Sequence, residues 1–202
     1  MNIKKLFIAF VFSFVVVSAS AQKPVGTLTL YPRVGMTLSK FTGDKVFFTS
    51  SSIMDGRADA KYKAGIVAGA ELQYQMSNAV ALSGGVFYSQ QGTKFDDVPE
   101  LDEKLKMEHN NIIVPLMLVA TTKYGISAKI GVQPEILVDS KYKDMMNGFN
   151  VSVPVGLSYE YKNVCLDVRY NIGLTKIYKD QGASDTSHNG TFMFTLGYGI
   201  DL

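Results

Sequence analysis

The last 12 residues of the chain alternate without interruption between two kinds of side chain. From Thr191 to Leu202, every second position is Phe, Leu, Tyr or Ile, and the positions between them hold Thr, Met, Gly and Asp. A period of two is the signature of a β-strand whose two faces meet different surroundings. The end of the chain is therefore predicted to be a strand with one apolar face.

The same alternation recurs along the chain and predicts eight strands of 11 to 14 residues. Globular strands usually have about 5–6 residues, whereas a tilted strand needs about 9–11 to cross a bilayer. The predicted fold is all-β, an eight-stranded antiparallel up-and-down transmembrane β-barrel. The fourth segment is apolar on both faces around Pro115, so its phase stays open. The segments are Thr27–Ser39, Tyr62–Gln75, Val80–Gln91, Asn111–Thr121, Gly125–Val138, Phe149–Tyr161, Val164–Thr175 and Thr191–Leu202.

The connections between these segments alternate in length. Outer-membrane barrels have short periplasmic turns and longer external loops, so this alternation predicts the orientation of the barrel. We also expect a short helical turn over Val98–Met107. The short connections are Met76–Ala79, Thr122–Tyr124 and Lys162–Asn163, and the long ones are Lys40–Lys61, Gly92–Asn110, Asp139–Gly148 and Lys176–Gly190.

The N-terminus has the pattern of a secretory signal peptide. Lys4 and Lys5 precede an apolar run, which is followed by an Ala-x-Ala site that ends at Ala21. We expect cleavage between Ala21 and Gln22, which leaves residues 22–202 as one outer-membrane β-barrel domain. Removal of the two lysines takes the formal charge from +2 to 0, because residues 1–21 contain no acidic residue. A neutral mature chain argues against a nucleic-acid partner.

The composition of the polar face indicates which face points outward. This face is mostly Gly, Ser, Thr, Asn and Gln, with isolated charges, whereas a water-exposed surface is rich in charged residues. Small side chains fit the narrow interior of an eight-stranded barrel. We therefore predict that the apolar face contacts outer-membrane lipid, with aromatic side chains near both strand ends. The alternative is a soluble lipocalin-like ligand-binding barrel with the apolar face inside.

Eight charged residues lie on the face predicted to line the lumen, four of each sign: Arg33, Lys63, Glu71, Lys129, Glu135, Glu160, Asp167 and Arg169. Isolated charges in a narrow interior are costly, so we expect them to pair and to block the bore. The alternative is a gated polar path for small solutes or ions. An eight-stranded barrel is too narrow for a large open pore. The residues at comparable depth, the predicted lumen charge network, are Arg33, Glu71, Lys129, Asp167 and Arg169.

The predicted external loops contain apolar and acidic side chains. The apolar residues indicate either packing against strand ends or a surface for a protein partner or ligand. The acidic residues indicate a solvated loop or, alternatively, a loop that binds Ca²⁺ or bridges lipopolysaccharide through divalent ions, although their spacing matches no calcium-binding loop. The apolar set is Phe41, Phe47, Phe48, Ile53 and Met54, and the acidic set is Asp96, Asp97, Glu100, Asp102 and Glu103.

Residues suited to catalysis are few. His109 and His188 fall near the external rim, and His188 lies close in sequence to Ser184, Asp185 and Ser187. Serine, histidine and acidic side chains are the residue types that a small outer-membrane enzyme uses for catalysis. No motif surrounds either serine. We therefore predict a protein that is not an enzyme, with no catalytic, cofactor or metal site. Cys165 is expected to be a buried, inert thiol facing the lumen.

Five stretches of the chain resemble a known family. They are Arg33–Phe41, Gly85–Gly92, Ile112–Leu116, Gly131–Glu135 and Asp167–Leu174. With them, the mature chain is similar to the outer-membrane β-barrel family of Bacteroidetes, called PorT-like or porin family, with a barrel of OmpA or OmpX size. The resemblance implies the fold and the barrel assembly machinery as a partner. Such barrels usually end in Phe or Trp, whereas this chain ends in Leu202.

These observations predict a non-catalytic role in the cell envelope. The expected role is structural, or consists of surface binding through the extracellular loops. The alternatives are an anchor within an envelope complex such as a secretion system, the rim enzyme with His109 and His188, and the soluble ligand-binding barrel.

Overall fold

The computed structural model describes residues 23–42, 60–95, 105–140, 147–175 and 188–202. All regular structure within these ranges is β, and they contain no helix long and apolar enough to span a membrane. The predicted cleavage site at Ala21 and Gln22 lies outside the described residues. The strands are β1 (Leu28–Thr42), β2 (Ala60–Gln75), β3 (Val80–Phe95), β4 (Leu105–Ile113), β5 (Leu116–Thr121), β6 (Ile126–Ser140), β7 (Phe149–Tyr161), β8 (Val164–Gly173), β9 (His188–Tyr198) and β10 (Ile200–Asp201).

The strands form one closed antiparallel barrel. Each strand pairs with its neighbours around the barrel, and β1 pairs with β2 on one side and with β9 and β10 on the other. β4 and β5 continue one another between β3 and β6, and β9 and β10 continue one another beside β1. Counted in this way over the described ranges, the barrel has eight strands. The predicted fold class is confirmed.

The break between β4 and β5 has a simple cause. Pro115 has no N–H to donate to the strand ladder, so regular pairing stops there. The barrel wall is kept intact by its neighbours: the Gly85 amide donates to the Pro115 carbonyl at 3.0 Å, and the Val114 amide donates to the Pro134 carbonyl at 2.9 Å.

Several strands are longer than predicted. β3 continues to Phe95 and β4 begins at Leu105, and the two pair throughout this extension. The expected helical turn over Val98–Met107 is therefore wrong at its C-terminal end, where Leu105 pairs with Phe95. Alternation fades in this region, but backbone hydrogen bonding between paired strands does not depend on which side chains alternate.

The short turns, the start of β1 and the last residue of the chain lie at one end of the barrel. The Lys162–Asn163 turn joins β7 to β8, and both residues have positive φ, 46° and 67°. Positive φ at both central residues is characteristic of the type I′ turn, whose twist matches that of a two-residue hairpin. At the same end, the Leu202 amide donates to the Leu28 carbonyl at 2.9 Å. We call this the turn end, and the opposite end the loop end.

The apolar face points out of the barrel. Val34 and Leu157 are each 62% exposed, whereas Phe87 and Val67 on the inner face are fully buried. The soluble lipocalin-like alternative requires the reverse arrangement, so the structure excludes it. In β4 and β5 the odd-numbered residues point inward, Asn111 and Met117 among them, which settles the phase that the sequence left open.

Exposed aromatic side chains lie near both ends of the barrel, as predicted. Tyr74 and Tyr198 are exposed on the outer face near the turn end. Tyr62 and Phe149 are exposed near the loop end, where the Tyr62 ring lies 6.3 Å from that of Phe192. This is the placement of the two aromatic girdles of membrane barrels.

Candidate functional site

The five residues of the predicted lumen charge network meet in the interior of the barrel, each between 0% and 3% exposed. Glu71 on β2 is in contact with all three cations. Its carboxylate accepts from Arg169 Nη2, from Lys129 Nζ at 3.3 Å and from Arg33 Nη2 at 3.4 Å. We call this set, Arg33, Glu71, Lys129, Asp167 and Arg169, the central network.

Asp167 on β8 is the second carboxylate of the central network. It lies 2.7 Å from Lys129 Nζ, 2.5 Å from Arg169 Nε and 3.9 Å from Arg33 Nη1. Each carboxylate thus touches each cation, and three cations against two carboxylates give a formal charge of +1. Buried charges persist only when they are paired and hydrogen-bonded in this way.

Glycines on neighbouring strands make room for the long side chains of the central network. The direct cross-strand partners of Arg33 are Gly69 and Gly197, and Gly156 lies between Arg169 and Lys129. A Cβ atom on Gly197 would lie 2.8 Å from Arg33 Cγ, which is closer than two non-bonded carbon atoms can approach. The small residues of the inner face are therefore matched in register to the charged ones.

Aromatic and apolar side chains support the central network. The Arg33 guanidinium lies 5.0 Å from the centre of the Tyr31 ring, and that of Arg169 lies 5.9 Å from the Phe87 ring. Both are cation–π distances. Phe87 belongs to a fully buried apolar cluster inside the lumen that the sequence analysis did not predict. The cluster consists of Val67, Phe87, Ile113 and Met193.

A second polar layer lies at the turn end of the lumen. Lys23 Nζ lies 2.5 Å from an Asp201 carboxylate oxygen and 3.5 Å from one of Glu160. The Tyr31 hydroxyl donates to Glu160 at 2.7 Å, and the Thr29 hydroxyl donates to Asp201 at 2.7 Å. This turn-end layer holds the segment before β1 against the last strand.

A third polar layer lies on the loop-end side of the central network. At its centre the carboxylate of Glu135 accepts hydrogen bonds from side chains of β3, β4, β6 and β7. We call this set, Gln91, Asn111, Gln133, Glu135 and Ser152, the loop-end layer. Nearby, Lys63 Nζ lies 3.3 Å from a Glu108 carboxylate oxygen.

The two rim histidines lie on opposite walls of the barrel, near its loop end. His109 is buried on β4, in register with Gln91 and Ser140. His188 begins β9 in register with Thr42 of β1, on the opposite side of an eight-stranded barrel. Within the described ranges, no group of three or more His, Cys, Asp or Glu side chains is placed to hold a metal ion.

The remaining predicted residues divide into two groups. Cys165 faces the lumen as expected, buried, with Arg33 Nη1 3.6 Å from its sulfur. The other predicted residues have side chains outside the part of the chain that the structure describes. They are Phe41, Phe47, Phe48, Ile53, Met54, Asp96, Asp97, Glu100, Asp102, Glu103, Ser184, Asp185 and Ser187.

Three solved outer-membrane barrels are similar to this chain. OprG from Pseudomonas aeruginosa is 12% identical, with a TM-score of 0.54 over 91% of this chain and 100% of that one. Ail of Yersinia pestis is 16% identical, with a TM-score of 0.46 over 88% and 100%. Neisserial surface protein A is 13% identical, with a TM-score of 0.48 over 86% and 97%. The likeness to OprG supports the fold alone.

The family is shown by comparison of the sequence with family models. A search of the curated proteins found no match to the chain. The family model for the outer membrane protein beta-barrel domain matches residues 20–179, most of the chain. With the closed barrel, its apolar exterior and its charged interior described above, the conclusion is plain: the chain belongs to the outer membrane protein beta-barrel domain family.

Proposed function

We propose that this protein is a non-catalytic outer-membrane barrel with a closed lumen, whose role is structural or is carried by its extracellular loops. The observation that carries the proposal is the central network, in which five buried charged side chains from four strands meet across the interior. The turn-end layer lies on one side of it, and the apolar cluster packs against it through Phe87.

Opening a path through this interior would require separating buried ion pairs. Removal of one partner from a buried pair typically costs about 3–5 kcal/mol, because the other charge stays buried without compensation. A closed state of this kind conducts no ions at rest. The role of the protein then lies at its surfaces, in lipid contact and in the loops.

Planar-bilayer recording of the purified, refolded protein tests the closed lumen. We expect no stable conductance steps beyond the baseline of the empty bilayer. A general porin, inserted from the same detergent, is the control for successful reconstitution. Reproducible large steps from this protein would contradict the proposal and favour the gated polar path.

The loops are tested by shortening them one at a time. Replacement of residues 43–59 by a short Gly-Ser turn keeps the strands and removes most of the first loop. We expect the barrel still to fold and any surface binding or adhesion to be lost. If the role instead depends on anchoring an envelope complex, cross-linking in cells will recover the same partner with and without the loop.

Processing and assembly complete the proposal. Cleavage between Ala21 and Gln22 removes residues 1–21. The barrel assembly machinery then inserts the mature chain into outer-membrane lipid. The exposed apolar outer face supports lipid contact. The intact mass of protein extracted from envelopes tests the processing step: the mature chain begins at Gln22, and a full-length mass would contradict cleavage.

A further inference from the structure

The loop-end layer contains a buried carboxylate without a cation. Glu135 is 5% exposed, and the groups of the described residues that donate to its carboxylate are all neutral. The donors are Ser152 Oγ at 2.7 Å, Gln133 Nε2 at 3.0 Å, Asn111 Nδ2 at 3.3 Å and Gln91 Nε2 at 3.5 Å. Among the described residues, no lysine or arginine nitrogen lies within 4 Å of it, in contrast to the three that contact Glu71.

The side-chain amides around Glu135 donate to it through their nitrogens, and buried amide oxygens remain without a hydrogen-bond donor. Asn111 donates its Nδ2 to the carboxylate, and its Oδ1 is buried without a partner. Asn189 donates its Nδ2 to Gln91 Oε1, and its own Oδ1 is likewise without a partner. The carboxylate fixes these orientations, because it can only accept a hydrogen bond. A buried acceptor left unsatisfied is costly, so the layer needs a further positive or donating group.

A cavity lies beside these oxygens. Its volume is about 20 Å³, and Asn111, Glu135, Ser152, Thr175 and Asn189 are among the residues that line it. A cavity of about 10–15 Å³ is large enough for one water molecule. The cavity therefore has room for one small ion or one water, but not for an organic ligand.

We propose that this cavity is a binding site for a single hard cation such as Na⁺ or Ca²⁺. Hard cations take oxygen ligands, and the site offers the Glu135 carboxylate with the amide oxygens of Asn111 and Asn189. A cation satisfies the leftover oxygens and neutralises the carboxylate, whereas a water molecule does only the first. This site is separate from the proposed closed-lumen role, which assigns no ligand to the interior. Here a cation binds on the loop-end side of the central network.

Side-chain amide NMR of the refolded protein in detergent micelles tests the site directly. CaCl₂ and NaCl are titrated separately at constant ionic strength, which choline chloride maintains. We expect saturable shifts of the Asn111 and Asn189 side-chain amide signals with at least one salt. Glu135→Gln abolishes them, whereas Asp139→Asn, which neutralises an exposed carboxylate on the same strand, leaves them unchanged.

Asn111→Asp provides a gain-of-function arm. It places a second carboxylate beside the first, so we expect it to tighten Ca²⁺ binding by about tenfold. The Asn189 amide signal reports binding in this variant. Absence of saturable shifts with both salts in the wild-type protein overturns the proposal and leaves the cavity to water. Shifts that persist in Glu135→Gln also overturn it, because they place the cation elsewhere.

Discussion

Glu71 on β2 and Arg169 on β8 form an ion pair inside the lumen, although they are 98 positions apart in the sequence. The two strands are separated by β9 and β1 around the barrel wall, so the pair spans the interior rather than running along the wall. Lys129 and Arg33 reach the same carboxylate from two further strands. This convergence on one carboxylate is the basis of the proposed closed lumen.

Removal of the Glu71 carboxylate is expected to destabilise the barrel strongly. Glu71→Gln leaves three buried cations to share Asp167 alone, so the formal charge of the central network rises from +1 to +2. We expect the free energy of unfolding in lipid vesicles, measured by urea titration, to fall by about 3–5 kcal/mol. Glu108→Gln removes a carboxylate that is 61% exposed, and it should cost no more than about 1 kcal/mol.

A double variant separates lost charge from lost packing. Glu71→Gln combined with Lys129→Gln returns the formal charge to +1, so part of the lost stability should return. If the two losses simply add, the contact between these side chains contributes nothing specific.

The glycine opposite Arg33 is expected to be intolerant of a side chain. Gly197→Val places atoms where the Arg33 stem passes, since even a Cβ atom would lie 2.8 Å from Arg33 Cγ. Overpacking of this kind typically costs about 1–3 kcal/mol. Gly148→Val is the matched control, because a Cβ there meets nothing within 4 Å. Equal unfolding curves for both variants would contradict the close fit around Arg33.

A charged substitution on the outer face tests whether that face contacts lipid or water. Leu157 is 62% exposed, and in water an exposed Leu→Arg change is nearly neutral. In a bilayer, arginine costs about 2–4 kcal/mol near the midplane and about 0–1 near the interfaces. We therefore expect Leu157→Arg to lower the free energy of unfolding in vesicles far more than Val164→Arg, beside the Lys162–Asn163 turn.

The strands and their faces were predictable from the sequence because the two environments of a membrane barrel impose a period of two. β7 was predicted residue for residue, from Phe149 to Tyr161. The exceptions are local. Pro115 interrupts pairing without changing the apolar character of its segment, and the extension from Gln91 to Phe95 is held by backbone pairing after alternation fades.

The interior was predictable only in part. Counting residues from the turns placed the central network at one depth, but not its partners, since contacts across the lumen depend on the stagger of all the strands. Glu135 was recognised as a lumen charge, but its neutral surroundings depend on Gln91 and Ser152, which are distant in sequence. Alternation places Phe87 and Met193 on the inner face, but their packing with Val67 and Ile113 was not predictable, because it depends on the stagger of the strands.

The most direct test of the account is the electrophoretic mobility of the membrane-extracted protein in SDS, with and without boiling, alongside carbonate extraction of envelopes. A closed, lipid-embedded barrel resists SDS until it is heated. We predict a boiling-dependent shift and a protein that stays in the carbonate-washed membrane pellet. A carbonate-soluble protein with the same mobility before and after boiling would contradict the outward-facing apolar surface on which the account depends.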